Sequence, residues 1–539
     1  MKTIHKKSLI RGSAILFLFA SIAAICMFVA SSSSSADADF VVATSGGQLR
    51  GVARSTGGAE FLGIPYAQPP VSDLRWREPM PVKPWSGIRD AVAFGAPCAQ
   101  PLLGMWNARD ALSSKEDCLF LNVITPVWPP KEPLPVMLWI HGGSNTGGTA
   151  SSALYKDGTL AQHGVLLVTV NYRLGVFGFF AHPELTRESP HHASGNYGLL
   201  DQIAALRWVV DNIAKFGGDS SNITLFGQSA GAQDTGILMT SPLSKDKFQR
   251  AIAESGSPFN QTLSLAEAEQ AGQKFAASLK APSDDGAIKF LRQLSKQDLL
   301  KGVARHGNEE GPSFGPIVDA WVIPRWPVEI FAAGQEAPIP MMIGTTTREF
   351  SWTGSLTEAR KTIQEFSGNH GSQALTLYGL AGEAEGTSDP FYGSGADQWV
   401  ADIAFRCPVL NQAALHQAAH QSTYEYEFDH AIPGQEAQGA IHSADLPYVF
   451  GYYPKTGNIG GKFEDADFKL ADMMETYWTN FAKKGNPNGG ALSNWPEFAA
   501  SQSYIQFMQD GSVKTAAALR KPYCDLYREI LKERTNKNK

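Results

Sequence analysis

The stretch Ile223-Thr224-Leu225-Phe226-Gly227-Gln228-Ser229-Ala230-Gly231 decides how the rest of this chain is read. An apolar run of four ends at a serine flanked two residues away on each side by glycine. A strand that turns at once into a helix needs this spacing, because Cβ atoms at the glycine positions would clash in so sharp a turn. The turn leaves the serine hydroxyl exposed above the end of the strand. Gly-x-Ser-x-Gly also arises by chance, so its meaning depends on the residues around it.

Those surroundings alternate strand and helix. Pro135–Ile140 and Val165–Val170 are continuous apolar runs of the kind buried on both faces of a parallel sheet. Between the second run and the elbow, Asn196 to Ala214 carries Leu199, Ile203, Leu206, Val210 and Ile213 at helical spacing. A further short strand, Met341–Ile343, follows. Ser264 and Glu267 form a capping box for a helix running to about Lys280, and Gly485 and Pro487 end another helix over Asp465–Lys484. The pattern predicts an α/β fold with a mostly parallel central sheet, helices on both faces and helical insertions. No repeat or Gly/Ser/Pro-rich linker divides the chain, so residues 39–539 read as one domain.

The balance of 46 basic against 52 acidic residues leaves a net charge of −6, small for 539 residues. No basic patch points to nucleic acid and no acidic run points to disorder. The substrate therefore reads as small or neutral. Lys2, His5, Lys6, Lys7 and Arg11 precede an uncharged, largely apolar stretch from Ser13 to Ala30, and Ala36-Asp37-Ala38 fits a cleavage site. Residues 1–38 are read as a signal peptide, which makes the protein secreted or periplasmic; an uncleaved N-terminal anchor is the alternative, and no other segment could cross a membrane. Cleavage leaves Cys98, Cys118, Cys407 and Cys524, an even number that suggests two disulfides among three possible connectivities. No Cys-x-x-Cys spacing supports a metal. His416 and His420 are spaced like ligands on a helix, but Gln417 stands where a zinc peptidase needs glutamate.

A serine hydroxyl attacks only when a base takes its proton, and an acid must hold that base in the right tautomer. Downstream of such an elbow the acid is expected first and the histidine last. Glu349 lies in the loop after the Met341–Ile343 strand. His442 lies in the small-residue loop Ala440-Ile441-His442-Ser443-Ala444-Asp445.

Motifs through nearly the whole mature sequence resemble the type-B carboxylesterases, the family of carboxylesterases, cholinesterases and fungal lipases. They are Phe61–Ala67 (FLGIPYA), Glu116–Asn122 (EDCLFLN), Asn171–Gly175 (NYRLG), Gly195–Gln202 (GNYGLLDQ) and Phe216–Asp219 (FGGD). The resemblance implies an α/β-hydrolase fold with an active-site gorge, and a catalytic triad of Ser229, Glu349 and His442. It implies ester hydrolysis through an acyl-enzyme with no metal or organic cofactor, and a small-molecule ester as the partner. It pairs Cys98 with Cys118 and Cys407 with Cys524, and it joins Arg75 to Glu116 and Arg173 to Asp201. The oxyanion donors it implies are the backbone amides of Gly143, Ser144 and Ala230.

Two departures stand out. In His141-Gly142-Gly143-Ser144-Asn145, Ser144 replaces the family's third glycine and Asn145 a common aromatic residue. A Cβ at position 144 narrows the space beside the scissile carbonyl, which disfavours tertiary-alcohol esters; the alternative is that the Ser144 hydroxyl or the Asn145 amide orients a polar substrate. Gln228 stands where cholinesterases carry glutamate, so Trp106, which resembles their cation-binding tryptophan, lacks a charged partner. Trp106, Gln228 and Trp352 are read as pocket residues, with Phe350 in place of a common glycine. Lipase or amide and carbamate hydrolysis are rival readings on the same triad. A non-catalytic adhesion module is the rival from another class, and the presence of all three triad residues argues against it.

Overall fold

The computed structural model describes residues 40–260, 263–283, 285–306, 314–382 and 386–537. The expected signal peptide lies outside these residues, as does most of the His306–Ser313 loop. An eleven-stranded sheet runs through the molecule, with strands β1 (Val52–Ala53), β2 (Ala59–Pro65), β3 (Phe120–Thr125), β4 (Leu134–Ile140), β5 (Leu166–Val170) and β6 (Gly218–Gln228). It continues through β7 (Arg250–Glu254), β8 (Met341–Thr346), β9 (Thr423–Asp429), β10 (Ser503–Met508) and β11 (Val513–Ala517). The order across the sheet is β11-β10-β9-β8-β7-β6-β4-β5-β3-β2-β1. Pairing is parallel from β5 to β10 and antiparallel at both edges.

The central strands are apolar on both faces because both faces are covered. Val136, Leu138 and Ile140 of β4 point into one core, while Met137 and Trp139 point into the other. This is the two-residue period of a strand acting on a continuous apolar run. Helix α1 (Tyr197–Asn212) covers the first face with Leu199, Ile203, Leu206 and Val209, as does α2 (Ala230–Leu238). Two later helices are α3 (Cys407–Ala418) and α4 (Asp465–Lys484). Helix α4 covers the opposite face with Leu470, Met474, Tyr477, Trp478 and Phe481. Each fully buried side chain of this size stabilises the fold by about 1.5–3 kcal/mol. Among the described residues no helix is long and apolar enough to cross a membrane.

The expected elements are present, the Asp465–Lys484 helix with its expected bounds and others with shifted ends. The predicted Ile223–Phe226 strand runs from Gly218 to Gln228, since neighbours on both sides pair with it. The Asn196–Ala214 helix is α1, followed by a 3₁₀ turn over Ile213–Phe216 that closes at Gly217. The capping box at Ser264 and Glu267 starts a helix that ends at Ser278. Both expected disulfides, Cys98–Cys118 and Cys407–Cys524, are formed. Arg75 grips Glu116 with bonds of 2.6 and 2.7 Å, and Arg173 grips Asp201 with two of 2.7 Å.

Parallel register places the chemistry. Gln228 at the end of β6 pairs with Glu254, which pairs with Gly344, which pairs with Tyr426. The loops leaving these carboxyl ends share one rim, the usual ligand-binding edge of an open α/β sheet.

Candidate active site

Ser229 caps α2 with φ 57° and ψ −123°, a conformation a residue bearing a Cβ rarely adopts. Its surroundings hold it there. The Ser229 amide donates to the Glu254 carbonyl at 2.8 Å. A Cβ at Gly231 would fall 2.0 Å from the Ile140 carbonyl oxygen, and one at Gly227 2.5 Å from that of Gly231. The elbow therefore packs against the end of β4 in a way only glycine permits at these positions. Strain kept in place by such packing marks functional sites.

Glu349 and His442 come together although 93 residues separate them. Arg348 N donates to Ala440 O at 2.9 Å, and His442 N donates to Glu349 O at 2.9 Å, so the two loops are zipped by backbone. His442 Nδ1 lies 2.5 Å from Glu349 Oε2, and Thr346 N donates to Oε1 at 2.9 Å. The Glu349 carboxylate is buried at 1% exposure, so both oxygens work inside the protein. On the far side of the ring, Gln228 Nε2 lies 3.1 Å from His442 Nε2. With Nδ1–H committed to Glu349, Nε2 is the acceptor and the Gln228 amide donates to it.

The loop after β4 turns tightly beneath the elbow. Gly143 O accepts from Thr146 N and Gly147 N at 3.0 and 2.9 Å, with Gly143 at φ 112°, Ser144 at 55° and Asn145 at 54°. A Cβ on Gly142 would meet the Gln228 carbonyl oxygen at 2.6 Å and the Ser229 Cβ at 3.0 Å, which places this loop against the serine. Among the described residues the amides of Gly143, Ser144 and Ala230 donate to no protein acceptor. Trp106, half-exposed, borders the same loop: its Cη2 lies 3.0 Å from where a Cβ on Gly147 would stand. Trp352 packs edge-on against Trp399 and donates through Nε1 to Ser355 O at 3.2 Å.

Asn145 corrects an expectation. Its amide is not offered to a substrate. It is buried and donates to Asp234 Oδ1 at 2.9 Å, while Gln202 donates to Oδ2 at 2.6 Å. A carboxyl beneath the loop, outside the quoted motifs, captures the side chain. Burial pushes the Asp234 carboxyl up to about 7, against the pull of its Gln202 and Asn145 hydrogen bonds. An acid whose folded pKa stands above its unfolded value of about 3.9 contributes most stability below that value, and loses it as pH rises through about 7. Asp234→Asn, which Asn145 can accommodate by turning its free Oδ1 inward, is expected to flatten the fall in Tm between pH 5 and pH 8. A slope in thermal denaturation identical to wild type would contradict this.

Residues no motif marked also gather here. Asp445, three positions past His442, accepts from Tyr426 Oη at 2.9 Å, and Glu254 accepts from Trp478 Nε1 at 2.7 Å. Both are fully buried, each with one unpartnered oxygen. Burial, then the charge of Asp445, holds the Glu254 carboxyl well above the usual range; burial and Glu349 push Asp445 up to about 6. His416, by contrast, is taken up on both nitrogens, by Glu336 Oε1 at 2.9 Å and Ile339 O at 2.8 Å.

A cavity of about 100 Å³ adjoins the loop after β4 at Thr146, lined by Leu174, Val176, Leu300, Val303 and Phe314. A larger one, about 240 Å³, lies around Trp76, Tyr197 and Trp321, and none of the expected site residues lines it.

The Carboxylesterase family model matches residues 38–527. Fumonisin B1 esterase of Sphingopyxis macrogoltabida is 36% identical over 469 residues, covering 83% of this chain and 83% of its own length. Liver carboxylesterase 1F of Rattus norvegicus is 32% identical over 502 residues, covering 85% and 87%. The solved structure of PNB esterase superposes with a TM-score of 0.78 at 30% identity, over 90% of this chain and 99% of that one. The fold is thus the expected α/β-hydrolase. With a family match spanning the elbow, both zipped loops and nearly all of the sheet, the chain belongs to the carboxylesterase family and is a carboxylic ester hydrolase.

Proposed function

We propose that the protein is an exported serine esterase in which Ser229, His442 and Glu349 are nucleophile, base and acid. The observation that carries this reading is the 2.5 Å contact between His442 Nδ1 and Glu349 Oε2 beside a serine held at φ 57°. His442 Nε2 takes the Ser229 proton as Oγ attacks the ester carbonyl. The oxyanion is received by the free amides of Gly143, Ser144 and Ala230, each worth about 100- to 1000-fold in rate. His442 then protonates the leaving alcohol, and afterwards activates the water that releases the acid. Glu349 holds Nδ1–H and stabilises the imidazolium. Residues 39–539 act as one domain after removal of 1–38, and the two disulfides suit an oxidising compartment. The apolar cavity beside Thr146 favours an apolar group on the ester, and the Ser144 Cβ disfavours tertiary alcohols.

A fluorophosphonate probe tests the nucleophile. Stoichiometric labelling that peptide mapping places on Ser229, with matching loss of aryl-ester hydrolysis, is expected. A label elsewhere, or full activity after labelling, would overturn the assignment.

Gln228 supplies a second test. Its amide donates to neutral His442, whereas a carboxylate there favours the imidazolium. Gln228→Glu is expected to move the acid limb of the kcat/KM profile to higher pH by about one pH unit. An unmoved limb would show that residue 228 does not address the base.

A further inference from the structure

One π turn, Asp402–Arg406, joins the helix ending at Ala401 to α3. Single π turns within helices recur at functional sites because the extra residue redirects the side chains that follow. Here the last two residues of the turn face the site. The Phe405 ring lies 4.9 Å from the His442 imidazole, centroid to centroid, at an interplanar angle of 49°. Phe350, next to Glu349 in sequence, lies 4.6 Å from the same imidazole at 32°, and the two phenyl rings are 5.3 Å apart. Arg406 Nη2 donates to the carbonyls of Thr346 at 3.2 Å and Thr347 at 2.8 Å, where the chain leaves β8 for Glu349.

The turn is itself anchored. Asp402 accepts from Arg406, from Arg520 Nη2 at 2.6 Å and from Tyr378 Oη at 3.2 Å. The guanidinium groups of Arg406 and Arg520 lie 4.9 and 4.7 Å from the Tyr392 ring. Cys407, the next residue, is bonded to Cys524. Asp402 and Arg406 are fully buried. Buried ion pairs add little net stability, because desolvation offsets their attraction. What this network fixes is geometry.

We propose that the π turn Asp402–Arg406 is the positioning element for the base and acid of the triad, with Phe405 and Phe350 forming a two-ring wall against the imidazole and Arg406 holding the loop of Glu349. This rests on the reading of His442 and Glu349 given above. The bond to Glu349 fixes one edge of the imidazole, and the Gln228 bond at the other edge is given up when Nε2 takes the Ser229 proton, which leaves the ring able to swing about Glu349. The paired phenyl rings block that swing toward their side, so Nε2 stays aimed while it serves Ser229 and then the leaving alcohol. Their π faces also favour the imidazolium. The other groups near the ring are Glu349, bonded to it, Asp445 with Glu254 and the Tyr426 hydroxyl behind it, and the uncharged Gln228 amide. The two phenyl rings add no titrating group of their own.

The test compares Phe405→Leu, Phe350→Leu and Phe405→Tyr with wild type on a short-chain aryl ester. Phe405→Leu is expected to lower kcat about tenfold with KM within about twofold, as a misaimed catalytic group does. The acid limb of kcat/KM should move to lower pH by about half a pH unit. Phe405→Tyr, which keeps the ring, should restore both. Phe350 is half-exposed, so Phe350→Leu carries the test if Phe405→Leu does not fold, and the same direction of change is expected. Wild-type kcat and an unmoved limb in both leucine variants would overturn the proposal. So would a loss that follows Tm alone and that tyrosine fails to restore. Labelling of Ser229 by the fluorophosphonate keeps the two readings apart: an unlabelled serine defeats the triad, whereas a labelled serine with unaffected leucine variants defeats only the positioning role of the phenyl rings.

Discussion

Ser229→Ala is expected to lower kcat on a short-chain aryl ester by about 10⁶, with Tm unchanged. The substitution removes one oxygen and leaves the Cβ. Alanine therefore meets the same backbone condition at φ 57° that serine already meets, and the elbow, held by Gly227, Gly231 and the Glu254 carbonyl, has no reason to relax. The lost rate belongs to the covalent route. The residue of catalysis, about 10³- to 10⁴-fold over water, belongs to the free amides of Gly143, Ser144 and Ala230 and to substrate binding. In the proposed triad nucleophile and base act as one unit, so His442→Ala should cost about as much, and the double variant little more than either alone. Ser229→Ala retaining more than about one part in a hundred of wild-type kcat would end the acyl-enzyme reading.

The elbow was legible because its signal is local: an apolar strand, two glycines at fixed offsets and a helix. The central strands were legible for a similar reason. A run such as Val136–Ile140 must feed two cores at once, and only a sheet covered on both faces allows that. Glu349 and His442 were weaker on position alone. A glutamate after a strand and a histidine among small residues are common, and the family motifs supplied the rest. What stayed out of reach is set by tertiary register. Asn145 looked like a ligand for substrate until the fold brought Asp234, 89 residues away, beneath it. Glu254 reaches the site because β7 pairs in register with β6 and β8, and Asp445 because its loop turns inward. Phe405 carries no motif. Its approach to His442 depends on a π turn whose anchor, Arg520, lies 118 residues further on.

Glu349→Gln is the other change with a large expected effect, about 10⁴ in kcat at nearly constant KM. The reason lies in how the two carboxylate oxygens are used. Oε1 accepts from the Thr346 amide and Oε2 accepts from His442 Nδ1. A glutamine has one oxygen for these two donors. The backbone amide of Thr346 cannot turn away, so the glutamine oxygen stays there and its NH₂ faces the histidine. His442 must then accept at Nδ1 and carry its proton on Nε2. That tautomer cannot take a proton from Ser229, and it meets the Gln228 amide with a second donor. Nothing in the exchange removes volume from the buried site, so folding and substrate binding should persist while the chemistry stops. Glu349→Asp tests the same logic from the other side. It shortens the reach but keeps an acceptor for Nδ1–H, so it should retain more activity than Glu349→Gln despite fitting less well. Raising the pH should not rescue the glutamine variant, because its defect is the tautomer rather than the charge of a group that titrates. A Glu349→Gln enzyme within about tenfold of wild type, or one recovered at high pH, would show that the histidine is oriented by something other than Glu349.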